Sequence, residues 1–316
     1  MEFSVLKQYG EDLTQKTYVT NPAIARDDEI KKLIMVLLTP EKSGLLIGKP
    51  GIGKTAIVEG LAYLIQKNEV PDAIKGYRII KLNSTSLLGK ILINGKEELI
   101  IQLLVQELKQ TEKTIIFIDE IHTLIGGRED GPMDLANILK PGLDRGDIKA
   151  IGATTTTEYE TYIIRDRAFL RRFEKIEVEE PDEKTTVAIL KGSLPKIEKQ
   201  TGCKFKYNDY VTELLLESIV GATSEFKRVY GLSAMYPDVA FSVLTAAFSE
   251  ALFQNREEVN VLDVYNAIKN SKRIYPDSIV KELELFREKF IKICTEENIV
   301  LPVVTIDQIE NNVENY

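Results

Sequence analysis

The sequence predicts an α/β fold in which a parallel five-stranded sheet is sandwiched by helices and is followed by a small all-helical subdomain. Five short apolar runs within the first 180 residues are separated by stretches long enough for helices. This alternation is typical of parallel strands buried on both faces. After Pro181, apolar residues recur only at helical spacing. The predicted strands are 44–48, 77–83, 114–120, 148–155 and 173–178.

Helical spacing of apolar residues defines the remaining elements. In the first half it predicts helices over 54–67, 96–109 and 132–140. In the second half it predicts helices over 185–194, 210–220, 238–252, 261–268 and 277–293. Pro181-Asp182 is expected to start the first of these later helices, and Pro195 and Gly202 are expected to interrupt the helical pattern.

Composition excludes several classes of protein. The chain has 316 residues, of which 44% are hydrophobic and 28% charged, so disorder is not expected. No apolar run approaches the roughly 20 residues needed to span a bilayer. Cys203 and Cys294 stand alone, which argues against a disulfide framework and favours the cytoplasm. A net charge of −8 makes nucleic acid an unlikely partner.

The segment Gly48–Thr55 (GKPGIGKT) matches the phosphate-binding pattern GxxxxGK[ST] at every fixed position. It lies between a predicted strand and a predicted helix, as that loop requires. Its glycines allow backbone N–H groups to surround phosphate oxygens, and the helix adds its positive end. Lys54 is expected to reach the β- and γ-phosphates, and the Thr55 hydroxyl to bind Mg²⁺. The alternative, a glycine-rich turn without a ligand, does not explain the whole motif in this context.

Two carboxylates end the most apolar predicted strand, in the segment IIFIDE. Ligands of open α/β sheets bind beyond the carboxyl ends of the strands. Asp119 is therefore expected to hold Mg²⁺ through water, and Glu120 to orient and polarise the attacking water. The alternative is that the pair only terminates a strand and caps a helix.

Two further groups of residues have two interpretations each. Thr154 and Thr155 follow the fourth strand, where a hydroxyl could contact a γ-phosphate or could bond its own backbone in a turn. A basic cluster precedes the fifth strand; it consists of Arg165, Arg167, Arg171 and Arg172. These arginines could pair with nearby acids on a solvated face, or could stabilise phosphoryl transfer at a neighbouring subunit. Spacing alone does not choose between these interpretations.

In this order the motifs resemble those of the AAA+ ATPases, and in particular the first ATPase module of Clp-type unfoldases. The resemblance spreads over residues 6 to about 200. It is carried by LKQYGEDLT, NPAIARDDEI, KTAIVEGLA, FIDEIHTL, MDLANILKP, IGATTTTEY and LRRF. The fold it implies is an AAA+ P-loop NTPase subdomain with a helical lid, and the assembly it implies is a hexameric ring.

The resemblance also implies roles for individual residues. Lys54 and Thr55 match Walker A, Asp119 and Glu120 match Walker B, and Thr155 matches sensor 1. Arg171 and Arg172 match the arginine-finger pair that reaches a neighbour's ATP. Further nucleotide contacts are implied for Ala23, Ile24, Ala25, Pro50, Gly51, Ile52, Gly53, Ala56 and Ile189. Together these imply ATP and Mg²⁺ as cofactors.

Several positions depart from the family pattern. Leu92, Ile93 and Asn94 stand where the family has the aromatic pore loop that grips polypeptide, and here no aromatic ring is present. Ala25 replaces a usual glycine, and Val239 replaces a basic residue of the lid. The expected function is Mg-ATP hydrolysis by a ring that unfolds or remodels polypeptides. The alternative is an ATP-binding scaffold or switch that does not thread them.

The resemblance suggests four segments. They are a linker over 1–20, a nucleotide-binding α/β subdomain over 21–180, a helical lid over 181–275, and a helix with a linker-like tail over 276–316. The tail resembles the connection to a second ATPase module, so the chain is expected to be part of a longer protein. Polypeptide substrates are expected as partners, and a protease or an adaptor is a further candidate partner.

Overall fold

The computed structural model describes residues 4–93, 95–125, 148–229 and 235–309. Within them the chain divides into two compact units. The first takes in the described residues up to Lys49 and from Gly53 to Glu179, and the second takes in Pro50–Ile52 and the described residues from Glu180. The helix predicted over 132–140 lies outside the described residues. No described helix is long and apolar enough to cross a membrane.

A six-stranded sheet forms the centre of the first unit, in the order β1-β3-β6-β7-β2-β8. Its strands are β1 (Gly10–Asp12), β2 (Ser43–Ile47), β3 (Arg78–Leu82), β6 (Thr114–Ile118), β7 (Lys149–Thr154) and β8 (Phe173–Glu177). All five predicted strands are present and pair with one another in parallel. Every residue of β2 and β6 is buried, which explains why each strand has no polar side chain after its first residue.

The sixth strand, β1, was not predicted. It pairs antiparallel with β3 and lies in the segment expected to be a linker. The preceding helix α1 (Val5–Tyr9) buries Val5 and Leu6, and Glu107 accepts a hydrogen bond of 2.7 Å from the Val5 amide. The first described residues therefore belong to the α/β unit.

Among the described residues, the other α-helices of four or more residues in the first unit are α2 (Asp27–Leu38), α3 (Lys54–Gln66), α4 (Ser84–Leu87), α5 (Ile100–Leu108) and α6 (Arg167–Leu170). A helix was predicted from Lys96, but Lys96–Leu99 forms β5, which pairs antiparallel with β4 (Lys90–Ile93) in a hairpin. Three of the four residues of β5 are charged, and β4 holds only three consecutive apolar residues, so neither strand has the longer apolar run that revealed the buried strands.

The second unit contains helices α7 (Glu183–Thr201), α8 (Asp209–Ala222), α9 (Asp238–Phe253), α10 (Val261–Lys269), α11 (Pro276–Lys289) and α12 (Ile291–Glu296). Asp182 caps α7 as predicted, and Gly202 ends it at φ 75°. Pro195 does not interrupt α7, because Leu190, Leu194 and Ile197 all anchor it in the core.

The sequence predicts a purely helical second unit, and this prediction is wrong. Two short strands, β9 (Lys204–Phe205) and β10 (Glu258–Val259), pair in parallel. The segment predicted as a separate C-terminal helix packs into the same core through Ile279, Leu283 and Phe286. The lid and the described part of the tail therefore form one unit.

Candidate functional site

The predicted phosphate loop connects β2 to α3. Gly51 and Gly53 have φ angles of 75° and 101°, conformations that favour glycine. Lys54 opens α3, and its ammonium group donates to the carbonyl oxygens of Gly48 at 2.8 Å and Lys49 at 3.1 Å. Burial lowers the pKa of Lys54, although Asp119 and Glu158 act in the opposite direction. The loop thus surrounds a partly buried positive charge. Of the other loop residues predicted to contact nucleotide, Pro50 and Gly51 are exposed, Ile52 is buried and Ala56 is half-buried.

The two predicted magnesium ligands lie in direct contact. The Thr55 hydroxyl donates a hydrogen bond of 2.9 Å to Asp119 Oδ2. Thr55 comes from the first turn of α3, and Asp119 follows β6, so two distant segments meet at the carboxyl edge of the sheet. A hydroxyl and a carboxylate are oxygen donors of the kind that Mg²⁺ prefers. This donor pair therefore fits the predicted ion.

Glu120 is exposed and follows Asp119 directly. Its φ of 52° places it in the left-handed region, which is uncommon for residues other than glycine. Its amide donates to Asp119 Oδ1 at 3.1 Å, and its carbonyl oxygen accepts from the Thr123 amide at 3.0 Å. These bonds hold the backbone in a strained conformation of the kind that clusters at functional sites.

Thr155, the predicted sensor 1 residue, caps the helical turn Thr156–Glu158. Its hydroxyl accepts from the Glu158 amide at 3.2 Å, and the Glu158 carboxylate accepts from the Thr155 amide at 3.0 Å. This reciprocal pair is a capping box. In this structure the Thr155 hydroxyl therefore bonds the local backbone, which is the second of the two interpretations of the sequence.

The neighbouring Thr154 is buried and connects two further polar side chains. Its hydroxyl lies 3.2 Å from His122 Nδ1 and 3.3 Å from Glu158 Oε2. Burial raises the pKa of Glu158, but hydrogen bonds from Thr155 and Thr154 and the electrostatic effect of the His122 ring outweigh burial, so the net pKa is lowered. Glu158 was not among the residues predicted from the sequence. Its position three residues after Thr155, the spacing of a capping box, was the available signal.

The predicted adenine segment, Ala23–Ala25, packs on α3. A Cβ atom at Gly60 of α3 would lie 2.2 Å from the Ala23 Cβ, so glycine is needed for this close approach. Ala25 has φ 56°, in the left-handed region, and Ile24 lies between them half-buried. Beside them the buried Arg26, which the sequence analysis did not single out, pairs with Glu29 at 2.8 Å and donates to the Glu179 carbonyl oxygen at 3.1 Å.

Replacing Ala25 by glycine is expected to stabilise the protein by roughly 0.5 kcal/mol. The left-handed conformation costs alanine about 1–2 kcal/mol, and glycine removes this cost. Glycine also has more conformational freedom in the unfolded chain, which reduces the gain in stability by about 0.5–1 kcal/mol. Denaturant unfolding would measure the change. The control, Ala62→Gly within α3, is expected to lose at least about 1 kcal/mol. Equal losses for the two variants would contradict the strain at Ala25.

The predicted arginine fingers lie between α6 and β8. The Arg171 side chain is exposed, whereas that of Arg172 is half-buried. Their backbone is anchored to the sheet, since the Arg172 carbonyl oxygen accepts from the Ser43 amide at 2.8 Å and that of Arg171 accepts from Lys42 Nζ at 2.9 Å. The backbone of the two arginines is therefore held in place at the edge of the sheet, beside β8. Ile189, a predicted lid contact, is a buried residue of α7 in the second unit.

The predicted pore-loop residues belong to the β4–β5 hairpin. Leu92 is 69% exposed, and Ile93 is half-buried. Leu92 pairs across the hairpin with Glu97, which forms an ion pair of 3.1 Å with Lys90. Asn94 lies outside the described residues. Ile93 stands at the position of the family's aromatic residue. The exposed apolar side chain among the described residues of the hairpin is nevertheless that of Leu92.

The chain is similar to one protein family and to curated chaperone proteins. Residues 44–180 match the family described as the ATPase family associated with various cellular activities (AAA). The chaperone protein ClpB of Pseudomonas putida is 38% identical over 263 residues, which are 82% of this chain and 30% of the relative. ClpB of Porphyromonas gingivalis is 36% identical over 304 residues, which are 94% of this chain and 33% of that protein. The chain thus spans about a third of the length of these relatives.

Solved structures of Hsp104 are similar in fold. A closed state of Hsp104 with ATPγS and FITC casein, determined by cryo-electron microscopy, superimposes with a TM-score of 0.74 and 31% identity. The similarity covers 98% of this chain and 52% of that chain. An extended conformation of the Saccharomyces cerevisiae Hsp104–casein complex gives a TM-score of 0.72 and 32% identity.

Proposed function

Because this chain belongs to the Clp-type AAA+ ATPases, we propose that it binds Mg-ATP and hydrolyses it as one module of a ring that unfolds or remodels polypeptides. The observation that carries the proposal is the hydrogen bond between Thr55 and Asp119. It brings the end of the phosphate loop to the acidic end of β6, which is the arrangement that phosphoryl transfer requires.

Each residue of this arrangement has a distinct task. Lys54 supplies a fixed positive charge to the phosphates, and Thr55 and Asp119 hold the metal ion, which neutralises charge on the nucleotide when bound. Glu120 orients the attacking water and accepts its proton as the new bond to the γ-phosphorus forms and the bond to the β–γ bridging oxygen breaks. The exposed Glu120 side chain is accessible to such a water.

The ring is the second part of the proposal. Arg171 is exposed on a rigid edge, as expected for a group that reaches a site on another subunit. The hexameric assembly and the polypeptide substrate are supported by the relation to ClpB and by the casein complexes of Hsp104. A cytoplasmic location is also part of the proposal, in keeping with the two free, buried cysteines Cys203 and Cys294.

Mixing two inactive variants tests the ring directly. Arg171→Ala keeps its own site and lacks the arginine, whereas Glu120→Gln keeps the arginine and lacks turnover. If Arg171 acts on a neighbour, an equal mixture is expected to recover about a quarter of the wild-type ATP turnover, because half of the sites keep Glu120 and half of those meet an intact arginine. Differently tagged subunits would verify that mixed oligomers form. Mixed oligomers without recovered turnover would contradict action between subunits.

A second candidate function is an ATP-binding scaffold that does not thread polypeptide. The observation that favours it is the β4–β5 hairpin, where a single exposed leucine, Leu92, replaces a ring face for gripping substrate. ATP-driven unfolding of a tagged, stably folded protein would separate the two functions. Turnover and nucleotide-dependent assembly without any unfolding would favour the scaffold.

A further inference from the structure

We propose that Lys81 is a positioning residue that competes with the divalent metal for Asp119 and so sets the metal concentration at which the site fills. This inference rests on the proposed function, because it concerns the same carboxylate. Lys81 was not among the residues predicted from the sequence. The available signal was a charged residue in a strand whose other residues after the first, Ile79, Ile80 and Leu82, are all buried.

The sheet directs Lys81 toward Asp119. In the parallel pair of β3 and β6, Lys81 aligns with Phe117, so the two side chains share one face of the sheet. The Lys81 ammonium group lies 5.9 Å from the centre of the Phe117 ring, within the range of a cation–π contact. Asp119 lies just beyond the end of β6, two residues after Phe117. The distance from Lys81 Nζ to Asp119 Oδ2 is 4.0 Å.

The oxygen that Lys81 approaches is the oxygen that Thr55 contacts. Asp119 Oδ2 accepts the Thr55 hydroxyl at 2.9 Å, while Oδ1 accepts the Glu120 amide. A metal ion held by Thr55 and Asp119 would therefore bring two positive charges close to the Lys81 ammonium group. Like charges at such separations repel, so the metal must displace Lys81 or bind against its field.

The surroundings of the pair determine the size of the effect. The side chains of Lys81 and Asp119 are each 34% exposed, so solvent screens their attraction. A cleft of about 390 Å³, lined in part by Lys81, Asn83, Asp119 and Glu120, gives ions access to the pair. A moderate change in metal affinity is expected, not a loss of the site.

The test measures metal binding apart from turnover. Wild type, Lys81→Met and Lys81→Arg would each be titrated with Mn²⁺ in the presence of a non-hydrolysable ATP analogue, and free Mn²⁺ would be followed by electron paramagnetic resonance. Lys81→Met is expected to bind Mn²⁺ about threefold more tightly, in the range typical of partly exposed ion pairs. Lys81→Arg keeps the charge and is expected to remain near wild type. The Mg²⁺ concentration for half-maximal turnover should fall in parallel in Lys81→Met, while kcat stays within about twofold.

The control is Lys75→Met, which removes the same charge from a lysine whose ion pair with Asp72, at 2.7 Å, lies on the surface. It is expected to leave Mn²⁺ binding unchanged. Unchanged or weaker Mn²⁺ binding in Lys81→Met, with wild type binding normally, would overturn the competition. If wild type bound nucleotide with no dependence on metal at all, the proposed function itself would fail.

Discussion

Replacing Lys54 by alanine is expected to weaken ATP binding at least about 100-fold, since it removes a charge-assisted contact worth about 3 kcal/mol to a buried phosphate. The structure supports this because the ammonium group is partly buried and is already held by the carbonyl oxygens of Gly48 and Lys49. Burial lowers the pKa of Lys54, which shows that burying its positive charge is unfavourable. A bound phosphate would offset this cost by placing negative charge beside the ammonium group. Fluorescent nucleotide titration would measure the loss.

The matched control for Lys54 is Lys49→Ala, in the same loop. The Lys49 side chain is exposed, and only its carbonyl oxygen takes part in the loop geometry. It is therefore expected to change ATP affinity less than about threefold, as for other exposed charges. Similar melting temperatures for the two variants would show that both are folded. Retained affinity in Lys54→Ala would remove the phosphate loop from its assigned role.

Replacing Glu120 by glutamine is expected to reduce ATP turnover at least about 100-fold while nucleotide still binds, since a positioned general base contributes about 10²–10⁴-fold. The change is nearly isosteric, and the hydrogen bonds that hold Glu120 in its left-handed conformation use only backbone atoms of that residue. Structure and binding should therefore persist. Phosphate release under saturating ATP, together with nucleotide titration, would measure the two properties separately.

The control for Glu120 is Glu112→Gln, near the opposite end of the same strand. Glu112 is exposed and precedes β6, whereas Glu120 follows it beyond the carboxyl end. The same charge is removed from both variants, so only position distinguishes them. Turnover that fell equally in both would indicate a general charge effect, and unchanged turnover in Glu120→Gln would exclude Glu120 as the base.

Prediction from sequence succeeded where local pattern and burial coincide. β2 and β6 are buried on both faces, so each lacks polar side chains after its first residue, and their positions were predicted within two residues. It failed where partners far along the chain decide the structure. β1 is the polar triplet Gly10–Asp12, which is a strand only because the edge of β3 accepts it. Similarly, α7 continues through Pro195 because its flanking leucines are held in the core.

The sequence by itself determined the phosphate loop, the acidic strand end and the order of the parallel strands along the chain, because each depends on residues close together in the chain. Only the tertiary structure decided which groups share one oxygen of Asp119. Thr55 arrives there from α3 and Lys81 from β3, and the sheet order that joins them depends on packing between segments up to 64 residues apart.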